Sequence, residues 1–402
     1  MMIGPGWNSQ MSASRWIGLC LFLALTVPTG CRNHDFPEHP ANYREFAYVT
    51  NGGSNTVSVF DVVNVRLDRE IQVGQNPTGV TANPKRNEVY VVNSGQLNSS
   101  SNGSVSVIDT EKNAVVATIP VRRKPYFVEV DPGGDLAYVA NSGSDSVSII
   151  DLKLRREIAD IATGQGPGLA RISPDGKSLV VTNRIANTVS ILDPALLRTR
   201  ALIPGCPGAT DAVILPDSSK AFVACTGSHK IMAIALARSA DASKSNHTEA
   251  RPDAVEALLD VGRSPVHLAL KPDGGELFSS NFDSDSVSEV GTSFNDVSGT
   301  YLMGSHPVRG LVSNDNSLLY VSNFRSQEVT VYSIDDGKRS GSIHVGDGPD
   351  ALAFSTEGNL LFAVDARSGD LAVIRTSTQS LFTLLPTGRQ PNGIAVKAFL
   401  AQ

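Results

Sequence analysis

The sequence predicts an all-β protein that folds as a single β-propeller of eight four-stranded blades. Two observations support this prediction. Four short patterns recur in a fixed order along most of the 402-residue chain. One column of these patterns, which is Asn in six of its eight members, falls at positions 51, 93, 141, 183, 225, 281, 323 and 365. The steps between these positions are 42, 48, 42, 42, 56, 42 and 42 residues, and four strands in about 42 residues are typical of a propeller blade.

Each repeat contains four predicted strands. The first is a Pro followed by an alternating apolar run, as in Pro77–Pro84, and the second is a Tyr-Val-x-Asn pattern that ends at Asn51 in the first repeat. The third has the form Val57-Ser-Val-Phe-Asp61, and the fourth leads to a glycine, as in Ile71-Gln-Val-Gly74. Alternation with a period of two among β-branched and aromatic residues predicts strands. Turn sequences such as Pro-Asp-Gly separate them, and the two longer steps contain polar insertions.

The ends of the chain predict how the ring closes. The second pattern first occurs at Phe46 with no Pro-run before it, whereas the last Pro-run, which begins at Pro391, has no second pattern after it. We therefore expect the C-terminal strand to supply the innermost strand of the N-terminal blade. Length alone suggests two or three domains, but the repeats form one domain over residues 46–402. The alternative is a seven-bladed ring with one unit outside it.

The N-terminal residues 1–31 predict a signal peptide. Trp16–Val27 is an apolar run of 12 residues, too short to span a bilayer but of the length found in signal peptides. Pro28-Thr-Gly-Cys31 resembles a bacterial lipoprotein cleavage site with Cys31 as the lipidated residue, although Pro28 stands where Leu is usual. We expect export to the periplasm or cell surface, membrane contact only through this anchor, and a linker over residues 32–45. A plain secretory signal is the alternative.

The repeat patterns resemble the YVTN family of bacterial β-propeller repeats. The residues that carry the resemblance are the Tyr-Val-x-Asn and Val-Ser-Val-Ile-Asp patterns, and it covers residues 46–397. The resemblance implies the propeller fold and says almost nothing about chemistry. Relatives of this kind commonly have seven blades, so the count of eight comes from this sequence.

The glycine and asparagine columns meet at one edge of the ring, which we call the top. The Asn side chains are expected to hydrogen-bond the backbone of the Gly-x-x-Pro loops, as short Asn side chains commonly do in turns. This structural set is Asn51, Asn93, Asn141, Asn183, Asn281 and Asn323. Cys206 stands in the glycine column and Cys225 in the Asn column of one junction, which predicts a disulfide in an oxidising compartment. Two free thiols are the alternative.

Composition and motifs exclude several functions. A net charge of −6 and a pI of about 5.7 argue against a nucleic-acid partner. Four cysteines are too few for a disulfide-dense scaffold, and the three that lie outside the apolar run of the predicted signal peptide do not complete a four-cysteine iron–sulfur site. The sequence contains no His-Glu-x-x-His, Cys-x-x-Cys or Gly-x-Ser-x-Gly motif, and its seven His residues lack metal-ligand spacing. No metal, cofactor or catalytic residue is predicted.

The candidate binding residues follow the Pro of each repeat, at the top mouth of the predicted channel. Polar side chains that converge with aromatic rings in a concave site are typical of ligand binding. The candidates are Arg122, Arg123, Tyr126, Phe127, Asp211, His267, Arg309, Asp350 and Asn392. The arginines favour an anionic or carbonyl-bearing ligand, and a water-filled polar channel is the alternative. Deeper in the channel, Glu129 and Arg171 are expected to form an ion pair between blades.

Three functions remain open. We favour a monomeric binding protein that takes a protein partner or a small anionic ligand on its top face. The second is an enzyme that resembles propeller lactonases, with His267 or Asp211 as general base and Arg309 stabilising the oxyanion. The third is a cofactor carrier that resembles the eight-bladed haem domain of periplasmic nitrite reductases, with His267 as axial ligand.

Overall fold

A computed structural model of the protein describes residues 37–96, 100–237 and 251–401. The expected signal peptide, Cys31 and the first part of the expected linker lie outside these residues. Within the described ranges the secondary structure is almost entirely β, with two short 3-10 helices, Thr226–Ser228 and Phe282–Ser284.

Eight antiparallel four-stranded sheets form the ring and confirm the predicted eight-bladed propeller. Blade 1 uses β1 (Tyr43–Asn51), β2 (Thr56–Asp61) and β3 (Arg66–Gln72). Blade 2 contains β4 (Pro77–Ala82), β5 (Glu88–Asn93), β6 (Asn102–Asp109) and β7 (Ala114–Arg123). Blade 3 contains β8 (Pro125–Val130), β9 (Leu136–Asn141), β10 (Ser146–Asp151) and β11 (Arg156–Ala162). Blade 4 contains β12 (Pro167–Ile172), β13 (Leu179–Asn183), β14 (Thr188–Asp193) and β15 (Arg198–Pro204).

The second half of the chain repeats this arrangement. Blade 5 contains β16 (Ala209–Ile214), β17 (Lys220–Cys225), β18 (Lys230–Ala235) and β19 (Ala254–Asp260). Blade 6 contains β20 (Pro265–Leu270), β21 (Glu276–Asn281), β22 (Ser286–Gly291) and β23 (Asp296–Leu302). Blade 7 contains β24 (Pro307–Val312), β25 (Leu318–Asn323), β26 (Glu328–Ser333) and β27 (Lys338–His344). Blade 8 contains β28 (Pro349–Phe354), β29 (Leu360–Asp365), β30 (Asp370–Arg375) and β31 (Ser380–Pro386), and β32 (Pro391–Leu400) follows it.

The ring closes through β32, as the ends of the sequence predict. This strand is the innermost strand of blade 1, and its sheet has the order β3-β2-β1-β32. The pairing of β1 with β32 runs from Tyr43 opposite Leu400 to Asn51 opposite Pro391. Because β32 continues to Leu400, β1 begins three residues before the expected start at Phe46.

The hydrophobic core lies between neighbouring blades. Tyr48, Val57 and Val59 of blade 1 pack with Val89 and Val91 of blade 2, and all five are fully buried. Full burial of one such aliphatic side chain is worth about 1.5–3 kcal/mol. The same arrangement at each junction explains why the second and third strands of the blades are buried along almost their whole length.

The Asn column supports the top of each blade, but its hydrogen bonds differ from the expectation. Asn51 Nδ2 donates to Thr56 Oγ1 at 3.0 Å and to Ser58 Oγ at 2.9 Å, both on the next strand of the same blade. Ser58 Oγ in turn accepts the N–H of Gly388 in the loop at 3.2 Å. The prediction of direct bonding to the loop was therefore wrong for Asn51, because a hydroxyl stands between the amide and the glycine.

The same hydroxyl contact recurs at the other Asn junctions. Each of the remaining five Asn side chains donates to a Ser or Thr hydroxyl on the next strand. The hydroxyl is seven residues later in four of them and thirteen residues later for Asn93, because the first insertion lies between. These residues are Asn93, Asn141, Asn183, Asn281 and Asn323. Among the six, Asn323 also makes the expected loop contact, since its Oδ1 accepts the N–H of Gly304 at 3.1 Å.

Two blades lack this hydroxyl and are built differently at the top. In blade 5 the equivalent position is Met232, and a disulfide joins Cys206 to Cys225, as predicted. In blade 8 the position is Ala372, and Asp365 replaces Asn. Asp365 Oδ2 accepts the N–H of Gly346 at 3.0 Å, while burial and the neighbouring Asp370 carboxyl raise the pKa of Asp365 to about 9.

Candidate ligand-binding site at the channel mouth

A cavity of about 310 Å³ occupies one side of the channel mouth. Its walls come mainly from the inner strands of blades 7, 8, 1, 2 and 3. Tyr126, Phe127, His267, Arg309, Asp350 and Asn392 all line it. The structure therefore brings together six of the nine binding residues that the sequence predicts, because each follows the Pro at the top of an inner strand.

Blades 3 to 6 form the opposite side of the mouth, which we call the closed half. A chain of charged side chains fills it. Arg171 Nη1 lies 2.8 Å from Glu129 Oε2, which confirms the expected ion pair between blades. Arg171 Nη2 lies 3.9 Å from Asp211 Oδ1, and its guanidinium is 5.2 Å from the ring centre of Phe127. These side chains bridge the inner strands of blades 3, 4 and 5.

Small residues occupy the column of Asp211 in three blades of the open half, which comprises blades 7, 8, 1 and 2. The second position after the Pro is Ala351 in blade 8, Gly393 in blade 1 and Gly79 in blade 2. All three line the cavity. The cavity is therefore off-centre because three consecutive junctions have no large side chain to fill it.

His267 stands at the border between the two halves, and both its ring nitrogens face protein groups. Nδ1 accepts the N–H of Gly310 at 3.2 Å, and Nε2 lies 3.6 Å from Asp211 Oδ2. The same Asp211 oxygen accepts the N–H of Leu268 at 2.9 Å. Burial lowers the pKa of His267 to about 4, with Arg309 and Arg171 acting in the same direction and Asp211 opposing them. The imidazole is therefore neutral at physiological pH and serves as a hydrogen-bond acceptor for blade 7.

Arg309 is the most exposed cation of the cavity wall. Its side chain is 44% exposed, and its Nε lies 4.0 Å from Oδ1 of Asp350, which is 28% exposed. Burial raises the pKa of Asp350, and Arg309 opposes that rise. The long separation leaves the Arg309 guanidinium available to a ligand that can approach more closely than Asp350 does.

Asn392 and Tyr126 complete the wall. Asn392 Oδ1 accepts the Thr50 hydroxyl at 2.6 Å, and its Nδ2 donates to the carbonyl oxygen of Pro77 at 2.9 Å. The amide is thus held between blades 1 and 2. Tyr126 is 48% exposed and offers a ring face at the rim.

Arg122 and Arg123 do not line the cavity, contrary to the sequence-based expectation. Both lie on β7, the outer strand of blade 2. Arg122 Nε is 3.3 Å from Glu157 Oε1 and 3.0 Å from Asp160 Oδ2 on the outer strand of blade 3. Outer strand β7 extends as far as Arg123 before the chain turns inward, so both arginines remain at the periphery.

Arg184 is a rim residue that the sequence-based prediction missed. Its side chain covers Gly168 at the mouth, where a Cβ atom would lie 2.9 Å from Arg184 Cδ. The available signal was its position directly after the Asn column, in the loop that borders the mouth. Gly168 gives the arginine the space to lie over the inner strand of blade 4.

The two catalytic and cofactor alternatives fit this geometry less well. An axial haem ligand or a general base needs a ring nitrogen with a free lone pair directed at the cavity. Nδ1 of His267 already accepts a backbone N–H, and Nε2 faces Asp211. Asp211 is 5% exposed and bonded to Leu268. The residues present do not fit axial ligation of a haem through His267.

A second cavity, of about 320 Å³, lies at the bottom of the ring between blades 7 and 8. The Asp315 carboxylate in its wall already accepts the hydroxyls of Ser313 and Ser317 through Oδ1. We place the candidate site at the mouth because convergent polar side chains, aromatic rings and a partly exposed arginine line that cavity.

Metal-binding clusters and membrane-spanning helices are both absent from the described part of the chain. No three His, Cys, Asp or Glu side chains there are grouped so that they could hold a metal ion. Across residues 37–96, 100–237 and 251–401, no helix has the length and apolar character needed to cross a membrane.

The comparisons with known proteins agree with the fold. The family model of YNCE-like beta-propellers matches residues 133–397. No curated protein matches the chain. Similar solved structures include the dihydro-heme d1 dehydrogenase NirN, with a TM-score of 0.67 and 14% identity over 89% of this chain and 76% of that chain. AztD from Citrobacter koseri has a TM-score of 0.64 and 15% identity over 90% of this chain and 99% of that chain.

Hydrazine synthase from Kuenenia stuttgartiensis is also similar, with a TM-score of 0.56 and 19% identity over 82% of this chain and 92% of that chain. The names of NirN and hydrazine synthase give two different activities. Their likeness to this chain shows the fold alone, since one propeller supports many functions.

Proposed function

Since the chain belongs to the YNCE-like β-propeller family, we propose that it is an exported binding protein that holds a small anionic ligand at its channel mouth. The observation that carries the proposal is the off-centre cavity, with Arg309 on its wall and Tyr126 at its rim. A rigid ring that leaves one concave, polar and partly aromatic site open is typical of a ligand-binding scaffold.

The charges around the mouth support an anion rather than a cation. In the closed half, Arg171 is already paired with Glu129 and Asp211. In the open half, Arg309 has only the distant Asp350 carboxylate for an ion pair among the described residues. An arginine in a cavity can bind a carboxylate through two parallel hydrogen bonds, which Asp350 does not make.

The engagement of His267 supports binding over the two alternatives. A lactonase-like enzyme would need His267 or Asp211 as a base, and a haem carrier would need His267 as an axial ligand. Two simple assays keep these alternatives testable. Lactone hydrolysis that is lost in His267→Ala would favour the enzyme, and a Soret band in the purified protein would favour the haem carrier.

Export and anchoring are part of the same proposal. The Cys206–Cys225 disulfide indicates an oxidising compartment, and Cys31 follows a lipoprotein-like sequence. We expect the full chain, made in a bacterial host, to fractionate with membranes and to carry lipid on the peptide that begins at Cys31. Cys31→Ser should release it into the soluble fraction. Recovery of unmodified Cys31 in the soluble fraction of the parent protein would contradict the anchor.

Calorimetric titration of the mature protein with a panel of small carboxylates, phosphate esters and their uncharged isosteres tests the ligand proposal. We expect at least one anion to bind, and Arg309→Gln to weaken it about tenfold through loss of a charge-assisted pair. Arg122→Gln is the matched control, because that arginine lies on an outer strand and should leave affinity unchanged. Binding that is insensitive to Arg309, or no binding across the panel, would refute the proposal.

A further inference from the structure

We propose that the ligand is an organic carboxylate and that backbone N–H groups on the inner strands of the open half bind its oxygen atoms. This inference rests on the proposed function and names the chemistry of the same site. The groups are the N–H donors of Leu352, Ile394 and Val80, one each from blades 8, 1 and 2. Arg309 supplies the countercharge.

Blades 6 and 7 show how the inner strands expose such donors. The N–H of Leu268 donates across the junction to Asp211 Oδ2 at 2.9 Å, and the N–H of Gly310 donates to His267 Nδ1 at 3.2 Å. Each donor is the third residue after the Pro that begins its inner strand. Each acceptor lies on the preceding blade, two residues after the first residue of that blade's inner strand. A side chain from one blade thus caps the free edge of the next.

The open half has the same donors without the caps. Leu352, Ile394 and Val80 occupy the position of Leu268 and Gly310 in their strands. On the second strand they pair with Ala363, Val49 and Val91, each of which lies two residues before the Asn column. Leu268 is paired in the same way, because Ser279 also lies two residues before that column. The equivalent register directs these three N–H groups away from the second strand, toward the preceding blade.

The residues that would cap these donors cannot do so. The second residue after the Pro in the preceding blades is Arg309, Ala351 and Gly393, and none has a side-chain acceptor. Leu352, Ile394 and Val80 all line the cavity. Three backbone donors and one guanidinium therefore converge on the same space.

Two carbonyl groups near these donors already accept hydrogen bonds from protein side chains, so they do not compete for a ligand. Asn392 Nδ2 donates to the Pro77 carbonyl at 2.9 Å, and the Ser322 hydroxyl donates to the Asp350 carbonyl at 2.8 Å. Backbone N–H groups that point into a concave site are a recognised way to bind anions. The Val and Leu side chains and the Tyr126 ring beside them suit the organic part of a carboxylate better than a fully hydrated inorganic anion.

Amide proton–nitrogen correlation spectra of the mature protein test this, with benzoate, benzamide and inorganic phosphate as probes. We expect benzoate to give saturable downfield shifts of the Val80, Ile394 and Leu352 amides and to bind about tenfold more tightly than benzamide. Phosphate should perturb these amides more weakly than benzoate. Equal affinity for benzoate and benzamide, or phosphate binding tighter than benzoate, would overturn the inference.

A substitution that copies the closed half gives an independent test. Gly393→Asp should place a carboxylate next to the Val80 N–H, as Asp211 caps Leu268, and we expect benzoate affinity to fall at least tenfold. Gln390→Asp adds the same charge on an exposed loop beside β32 and is the control, with affinity within about twofold of the parent. Melting temperatures of both variants establish that they fold.

The outcomes separate the two proposals. If benzamide and benzoate bind equally at the mouth, shift Tyr126 and leave the three amides unchanged, the mouth is a binding site but the N–H groups do not recognise a carboxylate. If Gly393→Asp folds and binds benzoate as the parent does, the inference is wrong. If none of the three probes shifts any residue at the mouth, both the inference and the proposed binding site fail.

Discussion

The closed and open halves of the ring share one repeat but use it for different purposes. In the closed half, Arg171 links Glu129 to Asp211 across three blades, and a disulfide supports blade 5. In the open half, the column that holds Asp211 in blade 5 holds Gly79, Ala351 and Gly393. The backbone is equivalent in both, so a few side-chain columns decide which junctions are filled and which form a cavity.

The largest effect is expected at the disulfide of the closed half. Cys206→Ala with Cys225→Ala should lower the free energy of unfolding by about 3 kcal/mol, the scale expected for a loop of this size. The separation of the two cysteines is 19 residues, and blade 5 has Met232 where six of the other blades place the supporting hydroxyl. Urea denaturation of the oxidised parent and the variant measures the difference.

Asn141→Ala provides the comparison at an ordinary junction. Asn141 Nδ2 donates to Ser148 Oγ at 2.8 Å, and its loss should lower stability by about 1–2 kcal/mol. A disulfide variant that loses no more than Asn141→Ala would show that the disulfide does not support the closed half beyond what a hydrogen bond does.

The next effect distinguishes the two channel arginines. Arg171→Met should lower the free energy of unfolding by about 2–3 kcal/mol, because it leaves Glu129 and Asp211 without their shared cation while the channel keeps them partly hydrated. Arg309→Met, in the open half, should lower it by less than about 1 kcal/mol, since its carboxylate partner is 4.0 Å away. Thermal and urea unfolding of both variants test the contrast, which equal losses would contradict.

The third prediction concerns Asp365, where the open half departs from the Asn column. The folded-state pKa of Asp365 is raised from 3.8 to about 9. Between these values the folded protein binds more protons than the unfolded chain, so the Asp365 contribution to stability falls as pH rises through this window. Asp365→Asn should remove that loss and raise stability near pH 7 by on the order of 2 kcal/mol.

Unfolding of the parent and Asp365→Asn at several pH values between 5 and 9 provides the measurement. The stabilisation should grow with pH and level off near the raised pKa. The amide that this substitution introduces would donate to the Asp370 carboxylate much as Asn51 donates to Thr56, which should hold the junction at every pH. A stabilisation that is constant with pH would show that Asp365 titrates normally.

The smallest effect lies in the cavity itself. Asp350→Asn should strengthen benzoate binding about threefold to fivefold, because it removes the carboxylate that competes for Arg309. Asp347→Asn, which removes a carboxylate from the exposed top loop that precedes the same strand, is the control and should change affinity by less than about twofold. Weaker binding in Asp350→Asn would show that Asp350 contacts the ligand directly.

The repeat made the fold predictable, because Pro-runs, the Asn column and glycines recur with a fixed step. The unpaired Pro-run at Pro391 and the missing one before Phe46 also predicted the closure. Cys206 and Cys225 could be paired because each replaces a residue whose position in the blade was already known. In each case, the fixed repeat step indicates where in its blade a residue lies from its sequence number alone.

The candidate site was predictable only in part. His267, Arg309 and Asp350 were placed correctly at the mouth, since each lies on an inner strand. Arg122 was misplaced because its loop begins on the outer strand, and periodicity does not tell where a loop crosses from rim to centre. The partner of Asn51 was missed because it depends on a hydroxyl column seven residues later, which matters only once the strands are paired.

The closure strand also has a mechanical consequence. β1 lies between β2 and β32, and it pairs with β32 from Tyr43 to Asn51 and with β2 from Phe46 to Asn51. Tyr43 begins β1 at the bottom of the ring, opposite the mouth, so a pull on the chain before Tyr43 acts along the strand. Such a force loads both ladders in shear, and many hydrogen bonds must break together. A membrane tether attached before Tyr43 would point the channel mouth away from the membrane. It would also apply its force to the ladders of β1, which resist shear.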